Sequence, residues 1–206
     1  MPLMLRLVIA TCAASCAALV SVAPATAAPT CHPRHSRTVA RKGGTRLFLV
    51  GGGGAGEYSA PSTLYVCQRS RGRAVRLIHV GAARSLRLAH VRFDGRYVAF
   101  DATVGDETCF KYDPGPQCSS ETLRSYNVRD GRRRATAHAA CDALALTSNG
   151  WIAWVPPGTG PRSVLAVDST GSHQLDAGAI DPASLRATGR TVRWTNAGQP
   201  RSARLR

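Results

Sequence analysis

The chain has 206 residues, with 27 lysines and arginines against 12 acidic residues and a hydrophobic share of 44%. That length and apolar content fit one domain or two small ones and argue against a disordered chain or a coiled coil. Aromatic residues make up only 6%, Gly and Pro number 20 and 12, and Lys42 and Lys111 are the only lysines, so the positive charge is almost all arginine.

At the N-terminus, Arg6 precedes an apolar run from Leu7 to Val20, followed by a small-residue string ending in an A-x-A site at Ala25 and Ala27. This pattern predicts a signal peptide over 1–27, leaving a single domain over 28–206 in a secreted or otherwise extracytoplasmic (cell envelope) protein. The run falls short of the roughly 20 apolar residues a spanning helix needs, and no later segment is apolar enough to cross a membrane. Cleavage would also remove Cys12 and Cys16, leaving Cys31, Cys67, Cys109, Cys118 and Cys141 in an oxidising compartment, where disulfides persist. Cys109 and Cys118 flank a short loop with Asp113-Pro114-Gly115-Pro116 and suit a local bridge. Cys31 would then tie the N-terminal arm to Cys67 and leave Cys141 free, although a Cys118–Cys141 pairing is nearly as good a reading. No C-x-x-C occurs, which counts against a thioredoxin-like site and a zinc ribbon.

Four glycine-anchored apolar strings recur along the chain, beginning at Gly44, Gly95, Gly150 and Gly189 and spaced 51, 55 and 39 residues apart. Such spacing overlaps that of a propeller blade once insertions are allowed. The first string follows an indistinct strand near Thr38–Ala40. Asp94-Gly95 and Asn149-Gly150 predict two-residue hairpins, since both residue pairs tolerate positive φ. Further strands are expected at Thr63–Cys67, Thr122–Val128 and Ser163–Val167, each leading through a Gly- and Asp-rich turn to a weaker outer strand. The fold class predicted is all-β: a propeller-like array of about four four-stranded antiparallel blades. Blade two runs from about Leu86 to His138, blade three from Cys141 to Gly178, and blade four from Ser184. The last blade is short of an outer strand, which the segment after Cys31 would supply if the ring closes.

Residues Arg92 to Phe100, followed by Leu123 to Gly131, resemble the TolB-type β-propeller repeat, in which an Asp-Gly turn leads into an apolar strand and an outer strand ends in Asp and Gly. Asn149 to Trp154 and Val164 to Gly171 resemble it again. Phe93 and Ser148 stand where that family favours Pro, and four repeats are fewer than it usually has. The whole is also similar to secreted actinobacterial propeller-like proteins. The resemblance implies a fold and carries no activity with it.

Catalytic and cofactor signatures are weak. Gly51 to Gly56 formally satisfies G-x-G-x-x-G, but Pro61 and a strand at Leu64–Cys67 follow where a Rossmann turn must open a helix, so no dinucleotide cofactor is expected. No G-x-S-x-G elbow is present. His32 and His35 beside Cys31 would suit a soft metal only if Cys31 were reduced. The acidic residues Asp106, Glu107 and Asp113 interleave with Lys111 and lack EF-hand spacing. Trp151, Trp154 and Trp194 invite a sugar-stacking reading, but 151 and 154 point to opposite sides of a strand, and packing between blades is the expectation. No metal, cofactor or catalytic residue is therefore nominated.

Charge is the least trivial signal. Removing 1–27 takes away Arg6 alone and leaves 26 basic against 12 acidic side chains, a formal +14. Arg69, Arg71, Arg73 and Arg76 surround one turn, and Arg129, Arg132, Arg133 and Arg134 surround the equivalent turn of blade two. If the blades are related by rotation, both groups share one rim and would attract a polyanion by salt-sensitive electrostatics. The expectation is a non-catalytic interaction module for an anionic envelope polymer or extracellular protein. Nucleic acid is disfavoured because few aromatics interleave with the arginines. The alternatives are a hydrolase or lyase with its site at the central opening, and a structural repeat protein that self-assembles through an unclosed fourth blade.

Overall fold

A computed structural model describes residues 30–51, 60–106, 109, 115 and 118–206. The expected leader, the glycines after Gly51, and Glu107, Lys111 and Asp113 lie outside the described residues.

Among the described residues, fifteen strands form four antiparallel sheets in strict sequence order. Blade one contains β1 (Ser36–Lys42), β2 (Thr45–Gly51), β3 (Ser62–Gln68) and β4 (Ala74–Val80), with a 3-10 turn at Arg69–Arg71. Blade two contains β5 (Arg84–Asp94), β6 (Tyr97–Asp106), β7 (Ser119–Asn127) and β8 (Arg133–Ala137). In blade three β9 (Ala143–Leu146), β10 (Ile152–Val155), β11 (Arg162–Asp168) and β12 (Gly171–Gly178) follow, and β13 (Ile180–Thr188), β14 (Thr191–Asn196) and β15 (Gln199–Arg204) complete blade four. The architecture is all-β and propeller-like. Among the described residues no helix is long and apolar enough to cross a membrane.

The glycine-anchored strings are the second strand of each blade, and their patterning reports what covers each face. Val98 to Ala102 on β6 and Ile152 to Val155 on β10 are buried continuously because a neighbouring blade packs on both sides. Val98, Phe100 and Ala102 join Leu47, Leu49, Leu64 and Val66 of blade one, whereas Ala99 joins Leu144, Ile152 and Trp154 of blade three. On β14 the pattern alternates instead, with Val192 and Trp194 buried and Arg193 exposed. Blade four is therefore covered on one face only.

The third and fourth strands of the first three blades share a one-residue slip. Pairing shifts between Leu64 and Tyr65, between Ser125 and Tyr126, and between Val164 and Leu165. Leu77, Arg134 and Leu175 are thereby left unpaired as equivalent bulge residues on the outer strands. This common defect is the repeat expressed in backbone geometry.

Three expectations change. β1 is a full strand pairing Ser36–Lys42 with β2, and blade four starts at Ile180, four residues earlier than expected. The fourth sheet keeps three strands among the described residues. The segment after Cys31 does not close the ring: Thr30 bridges Arg73 of blade one, and Cys31 packs with Phe48, Cys67 and Ala74. The arm caps the outer face of blade one because Phe48 and Cys67 would otherwise be exposed there. The turns differ too. Asp94 pairs with Tyr97, so Gly95-Arg96 form the β5–β6 turn, and the β9–β10 link spans 147–151, with Gly150 at φ 86°.

Candidate anion-binding surface

The second arginine cluster meets Arg76 of the first at the seam between blades one and two. The β7–β8 turn carries Gly131 at φ 70°, and its Cα faces β4 so closely that a Cβ would stand 2.6 Å from Val75 Cγ1 and 2.9 Å from the Arg76 carbonyl oxygen. This contact sets Arg129, Arg132 and Arg133 beside Arg76, all four exposed. Asp130, within the same turn, accepts from the Arg132 backbone N–H at 2.9 Å and shapes the turn. Arg69, Arg71 and Arg73 lie at the equivalent turn of blade one, also exposed.

Arg134 has a different duty. As the bulge residue of β8 it reaches across to blade three, where its guanidinium carbon lies 3.7 Å from the Trp151 ring centroid and its Nε donates to the Asn149 carbonyl at 3.2 Å. It is a clamp between blades, and its planar face is occupied.

A second basic feature lies at the end of blade one, where an open recess of about 650 Å³ is lined by Arg41, Arg46, Arg69 and His32, with no carboxylate among its lining residues. It sits on the two-residue Gly43-Gly44 turn, with Gly43 at φ 55°, and the Arg69 backbone N–H donates to the Gly44 carbonyl at 2.8 Å, joining the β1–β2 turn to the 3-10 turn. Arg41, Arg46, Cys67 and Ala74 form a cross-strand row over all four strands. Cys67 is bridged to Cys31 with Cα atoms 5.5 Å apart, which brings the arm over the row. Arg46 is half-buried: its Nε donates to Thr38 Oγ1 at 2.9 Å, Nη1 to the Cys31 carbonyl at 2.6 Å, and Nη2 to Ser36 Oγ at 3.1 Å. Burial, and then Arg41, lower its pKa.

The central opening is narrower, about 410 Å³, and draws on all four blades through Lys42, Asp94, Leu144 and Arg186. Two of its cations hold the fold: Lys42 Nζ donates to the Phe93 carbonyl at 2.9 Å, and Arg92 Nε to the Leu144 carbonyl at 3.0 Å. Another recess, about 330 Å³, lies on blade four beside Arg186, Arg193 and Arg201. Outside its lining, Asp176, which accepts from Trp194 Nε1 at 2.8 Å and from Asn196 Nδ2 at 3.0 Å, is held below the usual carboxylate range by those bonds and by Arg201.

The other chemistry-bearing residues resolve plainly. Cys109 and Cys118 are bonded, Cα atoms 5.4 Å apart, and Cys141 is the free, buried thiol among the described residues. Burial pushes the Cys141 thiol up to about 12, aided by Asp101, so it is a poor nucleophile at neutral pH. Cys31 is spent in its bridge, and no metal-holding group of three His, Cys, Asp or Glu residues exists among the described residues. Trp151, Trp154 and Trp194 are all buried, so none offers a sugar platform. Sequence reading missed Arg41 and Arg46, although their symmetry about a Gly-Gly turn was the available signal.

No protein-family model matches the chain, and no curated protein matches it. Among solved structures, Kuenenia stuttgartiensis hydrazine synthase is similar at TM-score 0.41 and 15% identity, over 79% of this chain and 56% of that one. The chain thus spans just over half of that neighbour, and the likeness is too slight to carry an argument.

Proposed function

We propose that the protein is an exported, non-catalytic interaction module, built on TolB-type propeller repeats, that binds an anionic envelope or extracellular partner through the rim shared by blades one and two. The observation that carries this reading is the seat of Gly131 against β4, which sets the turn bearing Arg129, Arg132 and Arg133 against the strand bearing Arg76. Exposed cations that outnumber the turn's one carboxylate, Asp130, raise the local potential for a polyanion, and the attraction is screened by salt. Two disulfides fit an oxidising compartment, as a leader over 1–27 would require.

The test is retention of the chain lacking 1–27 on immobilised long-chain polyphosphate along a salt gradient. Retention at low salt, with earlier elution of the Arg132→Ala/Arg133→Ala variant, is expected. Elution that is indifferent to salt, or unchanged in the variant, overturns the rim reading.

A further inference from the structure

We propose that the recess at the end of blade one is a separate site for a compact, multiply charged oxyanion, a phosphate or diphosphate group, held by Arg41, Arg46 and Arg69. Register carries the proposal first. Arg41 and Arg46 are directly opposed across the β1–β2 ladder, so both side chains project from the same face. Like charges in that relationship destabilise a sheet. The Gly44 carbonyl then fastens the backbone of Arg69 beside them, adding a third cation. Nothing acidic lines the recess, and neither Arg41 nor Arg69 has a side-chain hydrogen bond or ion pair among the described residues.

The three guanidiniums are not equivalent. Arg46 has five N–H donors, and its contacts with Thr38, Cys31, His32 and Ser36 occupy four, while its carbon lies 4.6 Å from the Phe48 centroid. It is a fixed charge in the wall with one donor to spare. Arg41 and Arg69 are exposed and carry full complements of donors, able to close on a ligand from two sides. A single carboxylate would leave most of this charge uncompensated, whereas a tetrahedral dianion offers acceptors in three directions. The blade-four recess repeats the pairing, Arg186 opposite Arg193, but all three of its arginines are exposed and none has a side-chain hydrogen bond among the described residues to anchor it as Arg46 is anchored. The blade-one recess combines an anchored guanidinium with no competing carboxylate.

This site shares Arg69 with the rim, but Arg41 and Arg46 belong to the recess alone and Arg132 and Arg133 to the rim alone, so the two fail separately. Calorimetric titration at fixed ionic strength, using sodium pyrophosphate for the free anion and glycerol 3-phosphate for an esterified one, is expected to show one site per chain. Arg41→Ala/Arg69→Ala should weaken pyrophosphate binding at least tenfold, and Arg132→Ala/Arg133→Ala should leave it unchanged. Arg41→Ala alone should raise the melting midpoint of the free protein, by relieving repulsion with Arg46, while shrinking the rise that pyrophosphate gives the parent. No binding of either probe at millimolar concentration, or equal binding by the Arg41→Ala/Arg69→Ala protein, overturns the site. If instead pyrophosphate binding is lost in that variant while polyphosphate retention ignores the rim variant, the site stands and the rim reading falls.

Discussion

The Arg134 guanidinium stacks on the Trp151 indole at 3.7 Å from carbon to centroid, across the boundary between blades two and three. The contact exists because the β7–β8 register slips at Arg134, turning a residue of the outer strand toward the next blade. Below it, Ser125 Oγ donates to the Gly150 carbonyl at 2.5 Å, and a Cβ on Gly150 would collide with Tyr97 and Arg134. Arg134→Ala is expected to destabilise the fold by about 1–2 kcal/mol, through the lost cation–π contact and its hydrogen bond, with Arg134→Lys recovering part. Urea denaturation followed by tryptophan fluorescence measures this. Polyphosphate retention should fall less than in Arg132→Ala/Arg133→Ala, and an equal fall with no loss of stability would return Arg134 to the binding surface.

Gly131 is the analogous test one seam earlier. An alanine there meets both an unfavourable φ and the Arg76 carbonyl oxygen, so the turn must lift away from β4. The expected cost is about 1–3 kcal/mol. Because Arg129, Arg132 and Arg133 then move away from Arg76, Gly131→Ala should also elute earlier from polyphosphate, although it removes no charge. Gly72, at φ 65° with open space around it, is the control: alanine there is strained but displaces no neighbour, so stability should fall without a change in elution.

These two seams show what sequence could and could not convey. Gly95 and Gly150 announced hairpins because turn chemistry is local, and the second strands were legible because their uninterrupted apolar runs report burial on two faces. The Asp94-Gly95 turn was nonetheless read one residue early, since the pairing of Asp94 with Tyr97 depends on the ladder as well as the turn. The Cys31–Cys67 and Cys109–Cys118 pairings matched the first reading, although spacing alone left Cys118–Cys141 open. Arg134 was grouped with its neighbours because charge is visible in sequence and a register slip is not. Arg41 and Arg46 were missed for the same reason: their opposition is a property of strand pairing.

Asp101 predicts a distinctive pH response. It is buried on β6 with Oδ1 unpartnered among the described residues, and burial, then Glu121, raise its pKa against a smaller opposing influence from His90. A carboxyl whose folded pKa exceeds its unfolded value destabilises the fold increasingly as pH rises through the unfolded value near 3.9, fully above the folded value, and the penalty disappears at pH well below 3.9. Asp101→Asn should therefore be more stable than the parent at pH 7 and should lose that advantage at about pH 3. Asp168 runs the other way. Burial alone would raise its pKa, but the backbone N–H of Arg206 and the hydroxyl and N–H of Thr170 outweigh it and hold the carboxyl low. Its contribution is complete above the ordinary carboxylate range and is lost as pH falls through its depressed value. Thermal midpoints of the parent, Asp101→Asn and Asp168→Asn between pH 3 and 7 separate the two; an Asp101→Asn difference that does not vary with pH would show that the carboxyl is not the source.

The Cys31–Cys67 bridge joins stability to the blade-one recess. It closes a separation of 36 residues, which by loop entropy contributes about 3–4 kcal/mol, more than the nine-residue separation of Cys109–Cys118 provides. It also fixes the carbonyl of Cys31, the partner of Arg46 Nη1, and brings Thr30 to its bridge with Arg73. Cys31→Ser/Cys67→Ser is expected to lower the melting midpoint, free Arg46 from one of its anchors and weaken pyrophosphate binding, while polyphosphate retention at the rim persists. Cys109→Ser/Cys118→Ser should cost less stability and leave pyrophosphate binding intact, because neither cysteine is among the residues lining the recess. Scanning calorimetry with pyrophosphate titration of both double variants decides the point. Unchanged pyrophosphate affinity in Cys31→Ser/Cys67→Ser would mean that the arm covers apolar surface without ordering Arg46, whereas loss in both variants would place the effect in the fold as a whole.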